Sequence, residues 1–199
     1  MDSNFIFLVA CAYLVGSIPF GLLFTHLLTG KNLRNVGSGN IGATNALRTG
    51  GKLLGVLTLV ADLAKGAIPV FIAINLYDNN DAVVALVAAA AFFGHIFPVY
   101  LRFKGGKGVA TLFGVALPWL IWVAAATFMV WLVVLLASRY VSVASIAAAV
   151  AFPVVAWFLD AGFIISLSLG IFGLAVIIRH ASNIQQLLDG TEPTIEQDR

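Results

Sequence analysis

The chain has 199 residues, of which 61% are hydrophobic and 10% are charged, and its mean hydropathy is +1.02. This composition excludes an ordinary soluble domain and indicates a polytopic membrane protein. The chain has a single cysteine, Cys11, in an apolar run, so no disulfide framework or cysteine-based metal site is available. The net charge of +2 says little about a nucleic-acid partner, and the positions of the charges are more informative.

Seven apolar segments are predicted to cross the membrane and to form one all-α membrane domain over residues 1–199. The first is too long for a signal-peptide core and has no preceding lysine or arginine, so we expect it to be retained. The run at 109–137 is too short for two full spans, but a short pair broken near Pro118 keeps the later basic residues on one side. The predicted spans are 4–29, 53–76, 82–101, 109–118, 119–137, 143–159 and 163–178, followed by a cytoplasmic tail at 180–199.

The charges segregate in this seven-span arrangement. One face holds every lysine and arginine outside the spans, namely Lys31, Arg34, Arg48, Lys52, Arg102, Lys104, Lys107, Arg139, Arg179 and Arg199. The other face holds no lysine or arginine, and its charged residues are Asp2, Asp78, Asp81 and Asp160. The positive-inside rule therefore places the basic face and the C-terminus in the cytoplasm, and the N-terminus outside.

A glycine-rich stretch at 36–48 interrupts the apolar chain after the first span. Its glycines allow several backbone N–H groups to converge on one anion, and its hydroxyl and amide side chains add neutral donors. The candidate residues are Gly37, Ser38, Gly39, Asn40, Thr44, Asn45 and Arg48. Arg48 would supply a charged fork suited to phosphate or carboxylate. A polar turn between two membrane helices is the alternative.

A second polar cluster follows the third span. Lys104 and Lys107 place two ammonium groups beside Gly105 and Gly106, whose lack of side chains allows close backbone approach. The spacing is not that of a Walker A phosphate loop, and a topology determinant or a contact for anionic lipid is the alternative. His95, near the predicted cytoplasmic end of the third span, is a further candidate, with a capping or packing role as the alternative.

Two charges lie inside the predicted second span. Asp62 and Lys65 are three positions apart, so they share one helical face and can form an ion pair that lowers the cost of both charges in the membrane. Such residues generally face the protein interior or a polar cavity. Either they support a functional site or they only neutralise each other within the bundle.

The tail carries the third cluster. If the last helix continues, His180 and Asn183 share a face, and the leucines that follow form an apolar stripe that could lie back on the bundle. Glu192 completes the cluster. No His-x-x-His or His-Glu-x-x-His pattern is present in the sequence, so we expect no catalytic metal and no cofactor.

The three clusters together resemble the PlsY-type bacterial glycerol-3-phosphate acyltransferases over essentially the whole chain. The matching motifs are Gly-Ser-Gly-Asn-Ile-Gly-Ala-Thr-Asn with Arg48, Gly-His-Ile-Phe-Pro followed by Phe-Lys-Gly-Gly-Lys-Gly-Val-Ala-Thr, and His-x-x-Asn-Ile with Gly-x-Glu. The chain departs from the family at Ala181 and Gln186, where members often carry basic residues. The resemblance implies transfer of a fatty acyl group from acyl phosphate to the 1-hydroxyl of glycerol 3-phosphate, giving lysophosphatidic acid and phosphate at the bacterial inner membrane.

This chemistry suggests roles for the candidate residues. None of the three histidines has an aspartate five positions on, so the His-x-x-x-x-Asp dyad of other glycerolipid acyltransferases is absent. Phosphate binding is assigned to Gly37, Ser38, Gly39, Asn40, Arg48, Lys104, Gly105, Gly106 and Lys107. Positioning or oxyanion contacts are assigned to Asn45 and Asn183, with His180 orienting the acceptor or receiving its proton. Supporting roles are assigned to Thr44, Asp62, Lys65, His95 and Glu192.

The expected partners are glycerol 3-phosphate, acyl phosphate and membrane lipid, with no nucleic acid and no obligatory protein partner. Almost every residue outside the polar loops belongs to a span, so no soluble domain is left to recognise coenzyme A or an acyl-carrier protein. A transporter of a phosphorylated metabolite is the alternative function, although repeated halves and paired broken helices are not evident in the sequence. A purely structural membrane protein would leave the three polar clusters unexplained.

Overall fold

The computed structural model describes residues 3–195, in which helices and loops are found and no strand. Asp2 and Arg199, which the charge argument used, lie outside the described residues. The α-helices are α1 (Ser3–Gly16), α2 (Phe20–Thr29), α3 (Ala43–Leu76), α4 (Asp81–Ile96), α5 (Val109–Trp119), α6 (Ile121–Ser138), α7 (Val141–Phe158), α8 (Phe163–Arg179) and α9 (Ala181–Leu188). Two short 3₁₀ helices lie at Leu33–Asn35 and Val99–Leu101. The chain divides into two compact units, one ending at Trp119 and the other beginning at Leu120, and a single membrane domain stays a prediction.

The predicted first span is two helices rather than one. α1 ends at Gly16 and α2 begins at Phe20, and the pair is bent by 40°. Pro19 lies in the break, and because proline lacks an N–H it cannot continue the ladder of helical hydrogen bonds. α2 ends at Thr29 and is capped by Gly30, whose φ of 67° is left-handed and whose N–H is donated to the His26 carbonyl.

Helix α3 begins at Ala43 rather than at Leu53, so the expected glycine-rich loop ends at Gly42. The helix is interrupted at Gly51, whose φ of 80° and ψ of −173° are not helical, and it comprises segments at 43–50 and 52–76. The prediction missed the first segment because eight residues form a stable helix only with tertiary support. That support is an apolar cluster formed by Leu33, Ala46 and Leu54.

Glycines bring the helices of the first unit into backbone contact. A Cβ at Gly16 on α1 or at Gly94 on α4 would overlap main-chain atoms of the facing helix. The same holds for Gly66 on α3 and Gly114 on α5. Close approach through small residues is the usual way in which membrane helices associate, because lipid gives them little hydrophobic driving force.

The second unit contains α6 to α9. A Cβ at Gly173 on α8 would overlap the Ala149 carbonyl on α7, so this pair also packs through a glycine. The last helix does not continue straight into the tail. α8 ends at Arg179, and α9 leaves it at 53° after His180.

Within residues 3–195, four helices are long and apolar enough to cross a membrane: Ala43–Leu76, Asp81–Leu101 with its 3₁₀ turn, Ile121–Ser138 and Val141–Phe158. The count reaches six if each bent pair forms one span. The run at 109–137 does divide into two helices, as predicted, but α5 has only 11 residues and a full span needs about 20. The protein is therefore an integral membrane protein with four to six candidate spans, and seven spans stay a prediction.

Candidate functional site

The side chain of Asn45 organises the glycine-rich loop from within. Its Nδ2 donates to the carbonyls of Leu33, Val36 and Asn40 at 3.0, 3.0 and 2.8 Å. Its Oδ1 accepts from the Ser38 N–H at 3.0 Å. Asn45 is 1% exposed, and its amide is used by the loop backbone. This geometry makes it a positioning group for the loop.

Two glycines turn the backbone around that amide. Gly37 and Gly39 have φ values of 59° and 69°, a left-handed region that glycine adopts at no steric cost. Gly37 is also constrained by space, because a Cβ there would overlap Asn45 Oδ1. Ser38 lies between the two glycines and is exposed, so the loop presents its hydroxyl to the surroundings.

The loop leads directly into the start of α3. Gly42 precedes the helix in an extended conformation, and no side chain caps the first turn. The N–H groups of a first helical turn carry partial positive charge and bind anions when side chains do not satisfy them. Thr44 and Arg48 are four positions apart on this helix, so they share a face, and both are half-buried. A hydroxyl and a guanidinium therefore lie on one face of the helix whose N-terminus follows the Ser38 loop.

The second loop is held by its own backbone. The N–H groups of Gly105 and Gly106 are donated to the carbonyls of Ile96 and His95 at 3.1 and 3.2 Å, at the C-terminal end of α4. A Cβ at Gly105 would overlap both carbonyls. These glycines therefore allow the loop to pack closely on α4. The positive charge of the loop comes from Lys104, which is exposed, and Lys107, which is half-buried.

Arg34, which is not among the predicted site residues, joins the two loops. Its guanidinium Nη2 donates to the Lys104 carbonyl, which is 70 positions away in sequence. Its own N–H is donated to Asn32 Oδ1 at 3.0 Å, which fixes the 3₁₀ turn before the glycine-rich loop. The only sequence feature that pointed to Arg34 was its place among the basic residues of one face.

The predicted ion pair inside α3 forms. Lys65 Nζ lies 2.7 Å from Asp62 Oδ1, and both side chains are buried. His95 lies against this pair, with its Nδ1 3.8 Å from the same aspartate oxygen. The three supporting residues of the second span and the third thus form one buried cluster in the first unit.

The tail cluster belongs to the second unit. His180 is 2% exposed, and its Nδ1 lies 2.8 Å from the Val176 carbonyl. A carbonyl only accepts, so in the neutral ring this contact places the proton on Nδ1 and makes Nε2 the basic nitrogen. Asn183 Nδ2 donates to both carboxylate oxygens of Glu192, at 2.9 and 3.0 Å. Glu192 thus orients the amide beside the histidine.

No group of three histidine, cysteine, aspartate or glutamate side chains that could hold a metal ion occurs within residues 3–195. The absence of a cofactor stays a prediction.

Comparison with known proteins gives a consistent result. The family model described as glycerol-3-phosphate acyltransferase matches residues 6–190. A protein of Syntrophotalea carbinolica named glycerol-3-phosphate acyltransferase is 50% identical over 96% of this chain and 97% of its own length. One of Dinoroseobacter shibae with the same name is 48% identical over 92% of this chain and 89% of its own length.

Two solved structures that resemble this chain carry the same enzyme name as these relatives. The crystal structure of PlsY (YgiH), an integral membrane glycerol 3-phosphate acyltransferase, in its glycerol 3-phosphate form has a TM-score of 0.93 and 41% identity, covering 97% of this chain and 96% of that chain. Its lysophosphatidic acid form has a TM-score of 0.90 and 38% identity, covering 98% of this chain and 97% of that chain. The likeness extends over nearly all of each chain.

Proposed function

Because the chain belongs to the glycerol-3-phosphate acyltransferase family, we propose that it transfers a fatty acyl group from acyl phosphate to the 1-hydroxyl of glycerol 3-phosphate. The products are lysophosphatidic acid and inorganic phosphate. The observation that carries the proposal is the loop organised by Asn45, which ends at an uncapped helix N-terminus and is joined by Arg34 to a loop bearing two lysines. Both proposed substrates bring phosphate to such a site.

The reaction forms one ester bond and breaks one anhydride bond. The hydroxyl oxygen of glycerol 3-phosphate attacks the acyl carbon, the bond from that carbon to the phosphate oxygen breaks, and the hydroxyl proton passes to a base or to the departing phosphate. The mixed anhydride is already activated, so orientation and charge stabilisation can supply much of the rate without a covalent enzyme intermediate.

The residues of the first unit are assigned to the phosphate groups. Ser38 and the first turn of α3 provide neutral donors, and Arg48, Lys104 and Lys107 provide charge. Asn45 and the glycines of both loops hold these groups in place. The charge that develops on the departing phosphate is stabilised by donors that need no rearrangement during the reaction.

The residues of the second unit are assigned to the acceptor. His180, whose Nε2 is the basic nitrogen in the neutral tautomer, is assigned to orient the hydroxyl or to receive its proton. Asn183, fixed by Glu192, is assigned to positioning or to an oxyanion contact. Glu192 is assigned to hold the Asn183 amide in place, because its carboxylate is buried and both of its oxygens accept from that amide.

Acyl phosphate suits this architecture better than a thioester of coenzyme A. Its acyl chain can lie along exposed apolar helix faces of the first unit, of which Leu53 and Phe71 are examples at 67% and 59% exposure, while its small head enters the basic loops. We expect the purified protein to release phosphate and form lysophosphatidic acid from palmitoyl phosphate and glycerol 3-phosphate, with little transfer from palmitoyl-coenzyme A at equal concentration. Comparable turnover of the two donors would contradict the donor assignment, and no transfer from either would contradict the function.

The segregated charges support a seven-span arrangement in the bacterial inner membrane, with α5 as a short span, the N-terminus outside and the site facing the cytoplasm. In a background lacking Cys11, a cysteine at Ser182 should react with reagents only from the cytoplasmic side, and one at Asn79 only from outside. Equal sidedness of the two positions would rule out this topology.

A further inference from the structure

Three ionisable side chains are buried together in the first unit, and no step proposed above uses them. Asp62, Lys65 and His95 are exposed by only 2%, 2% and 4%. Lys65 Nζ and His95 Nδ1 lie 2.7 and 3.8 Å from the same oxygen, Asp62 Oδ1. The aspartate therefore pairs with a cation on its own helix, α3, and faces an imidazole on α4 across 3.8 Å, which is beyond hydrogen-bonding distance.

One end of this cluster reaches the break between α1 and α2. Lys65 Nζ donates to the Ile18 carbonyl at 2.9 Å and lies 5.8 Å from the centre of the Phe20 ring. In a membrane, backbone groups released at a helix break must find a partner inside the protein. Lys65 thus adds a second hydrogen bond to the Ile18 carbonyl, which also accepts the Phe20 N–H at 3.1 Å, and pairs with Asp62 at the same time.

The other end reaches the loop that carries the two lysines. The main-chain carbonyl of His95 accepts the Gly106 N–H at 3.2 Å. The imidazole lies against the same glycine, where a Cβ would come within 2.9 Å of its Cε1. Lys104 and Lys107 directly flank the Gly105–Gly106 pair in the sequence. Because the ring and the loop are in direct contact, a change in ring position must move the loop.

We propose that Asp62 and Lys65 are positioning residues, which act through His95 to set the place of Lys104 and Lys107 and thereby the binding of substrate phosphate. Stability alone does not account for the pair, because replacing a buried ion pair with apolar groups of similar size is often neutral or stabilising. The inference rests on the proposed function, since it concerns the phosphate-binding loop of that reaction.

The test removes both charges together, because a single substitution would strand the other charge in the apolar interior. The double variant Asp62→Leu/Lys65→Met should melt in detergent close to the unaltered protein. It should nevertheless raise KM for glycerol 3-phosphate, and lower kcat/KM by about tenfold to a hundredfold, as expected for small misplacement of a binding group. Thr58→Val is the matched control. Its hydroxyl is buried on the same helix without a hydrogen-bond partner among the described residues, and we expect unaltered kinetics.

A second variant tests the route through α4. His95→Leu keeps the Asp62–Lys65 pair and should reproduce the kinetic defect, and adding it to the double variant should cause little further loss. Normal kinetics in a folded double variant, normal kinetics in His95→Leu, or fully additive losses would each overturn the proposal. If the double variant does not fold, His95→Leu decides alone. Failure of the unaltered protein to transfer acyl groups would instead overturn the proposed function itself.

Discussion

The two loops of the first unit are held in place by different parts of the chain. The glycine-rich loop is held by one side chain, since the Asn45 amide makes four hydrogen bonds to loop backbone. The basic loop is held by its main chain, since Gly105 and Gly106 donate their N–H groups to the end of α4. The first loop therefore depends on the identity of one buried residue, Asn45. The second depends on the absence of side chains at Gly105 and Gly106.

The largest expected effect is that of Asn45→Asp. A carboxylate can still accept from the Ser38 N–H, but it cannot donate to the three carbonyls that Nδ2 now satisfies. Leaving these groups without their donor should reduce stability by about 3 kcal/mol or more and abolish measurable acyl transfer. Thermal unfolding in detergent and a turnover assay would check this.

Asn35→Ala is the matched control for Asn45→Asp, because Asn35 is an exposed amide in the same segment. We expect its melting temperature to be unchanged. A stable and active Asn45→Asp variant would show that the loop does not depend on this side chain.

The second prediction concerns Gly105→Ala. The new Cβ would meet the Ile96 carbonyl oxygen and Pro98 Cδ at 2.5 Å, so the loop must move away from α4. We expect a stability loss of about 1–3 kcal/mol, as for overpacking elsewhere, together with reduced turnover. The same substitution at Gly42 offers the comparison, because the nearest atom to its Cβ is 3.8 Å away and its φ of −87° suits alanine. Equal melting temperatures for the two variants would contradict the steric argument.

The third prediction separates chemistry from folding at Lys104. Lys104→Ala removes an exposed ammonium but leaves every main-chain hydrogen bond of the basic loop in place. We expect kcat/KM to fall by on the order of a hundredfold, as when one charge-stabilising donor is lost, with an unchanged melting temperature. Lys52→Ala, another exposed cation of the first unit, should retain normal kinetics. Normal kinetics for Lys104→Ala would remove this residue from the phosphate site.

Much of this arrangement could be predicted from the sequence. Apolar length located α4, α7 and α8 closely, and the distribution of basic residues predicted the division of 109–137 into two helices. The three-residue spacing of Asp62 and Lys65 predicted their ion pair, which is confirmed at 2.7 Å. The polar composition of both loops marked them as candidate sites. These features follow from local spacing, which the sequence records directly.

The features that were missed depend on contacts between distant residues. The first segment of α3 is stabilised by Leu33 and Leu54 rather than by its own length, and the bend after Arg179 has no proline or glycine to mark it. Asn45 was placed at the site, but its four bonds became evident only once the loop had closed around it. No short-range pattern encodes a loop that folds onto a side chain within it.

The smallest expected effect concerns Arg34, where the two loops meet. Its guanidinium donates to the Lys104 carbonyl, so Arg34→Gln would loosen the contact between a loop held by a side chain and one held by main chain. A hydrogen bond from a charged donor contributes about 1.5 kcal/mol, which corresponds to about tenfold in rate. We therefore expect kcat/KM to fall by about tenfold, with KM for glycerol 3-phosphate rising more than kcat falls, since the loss is one of alignment. Arg34→Lys, which keeps the charge, should recover part of the activity, whereas Lys31→Gln, which removes a nearby exposed charge, should have no effect. If Lys31→Gln and Arg34→Gln reduce activity equally, the general positive charge of the segment, rather than the bond between the loops, is what the reaction requires.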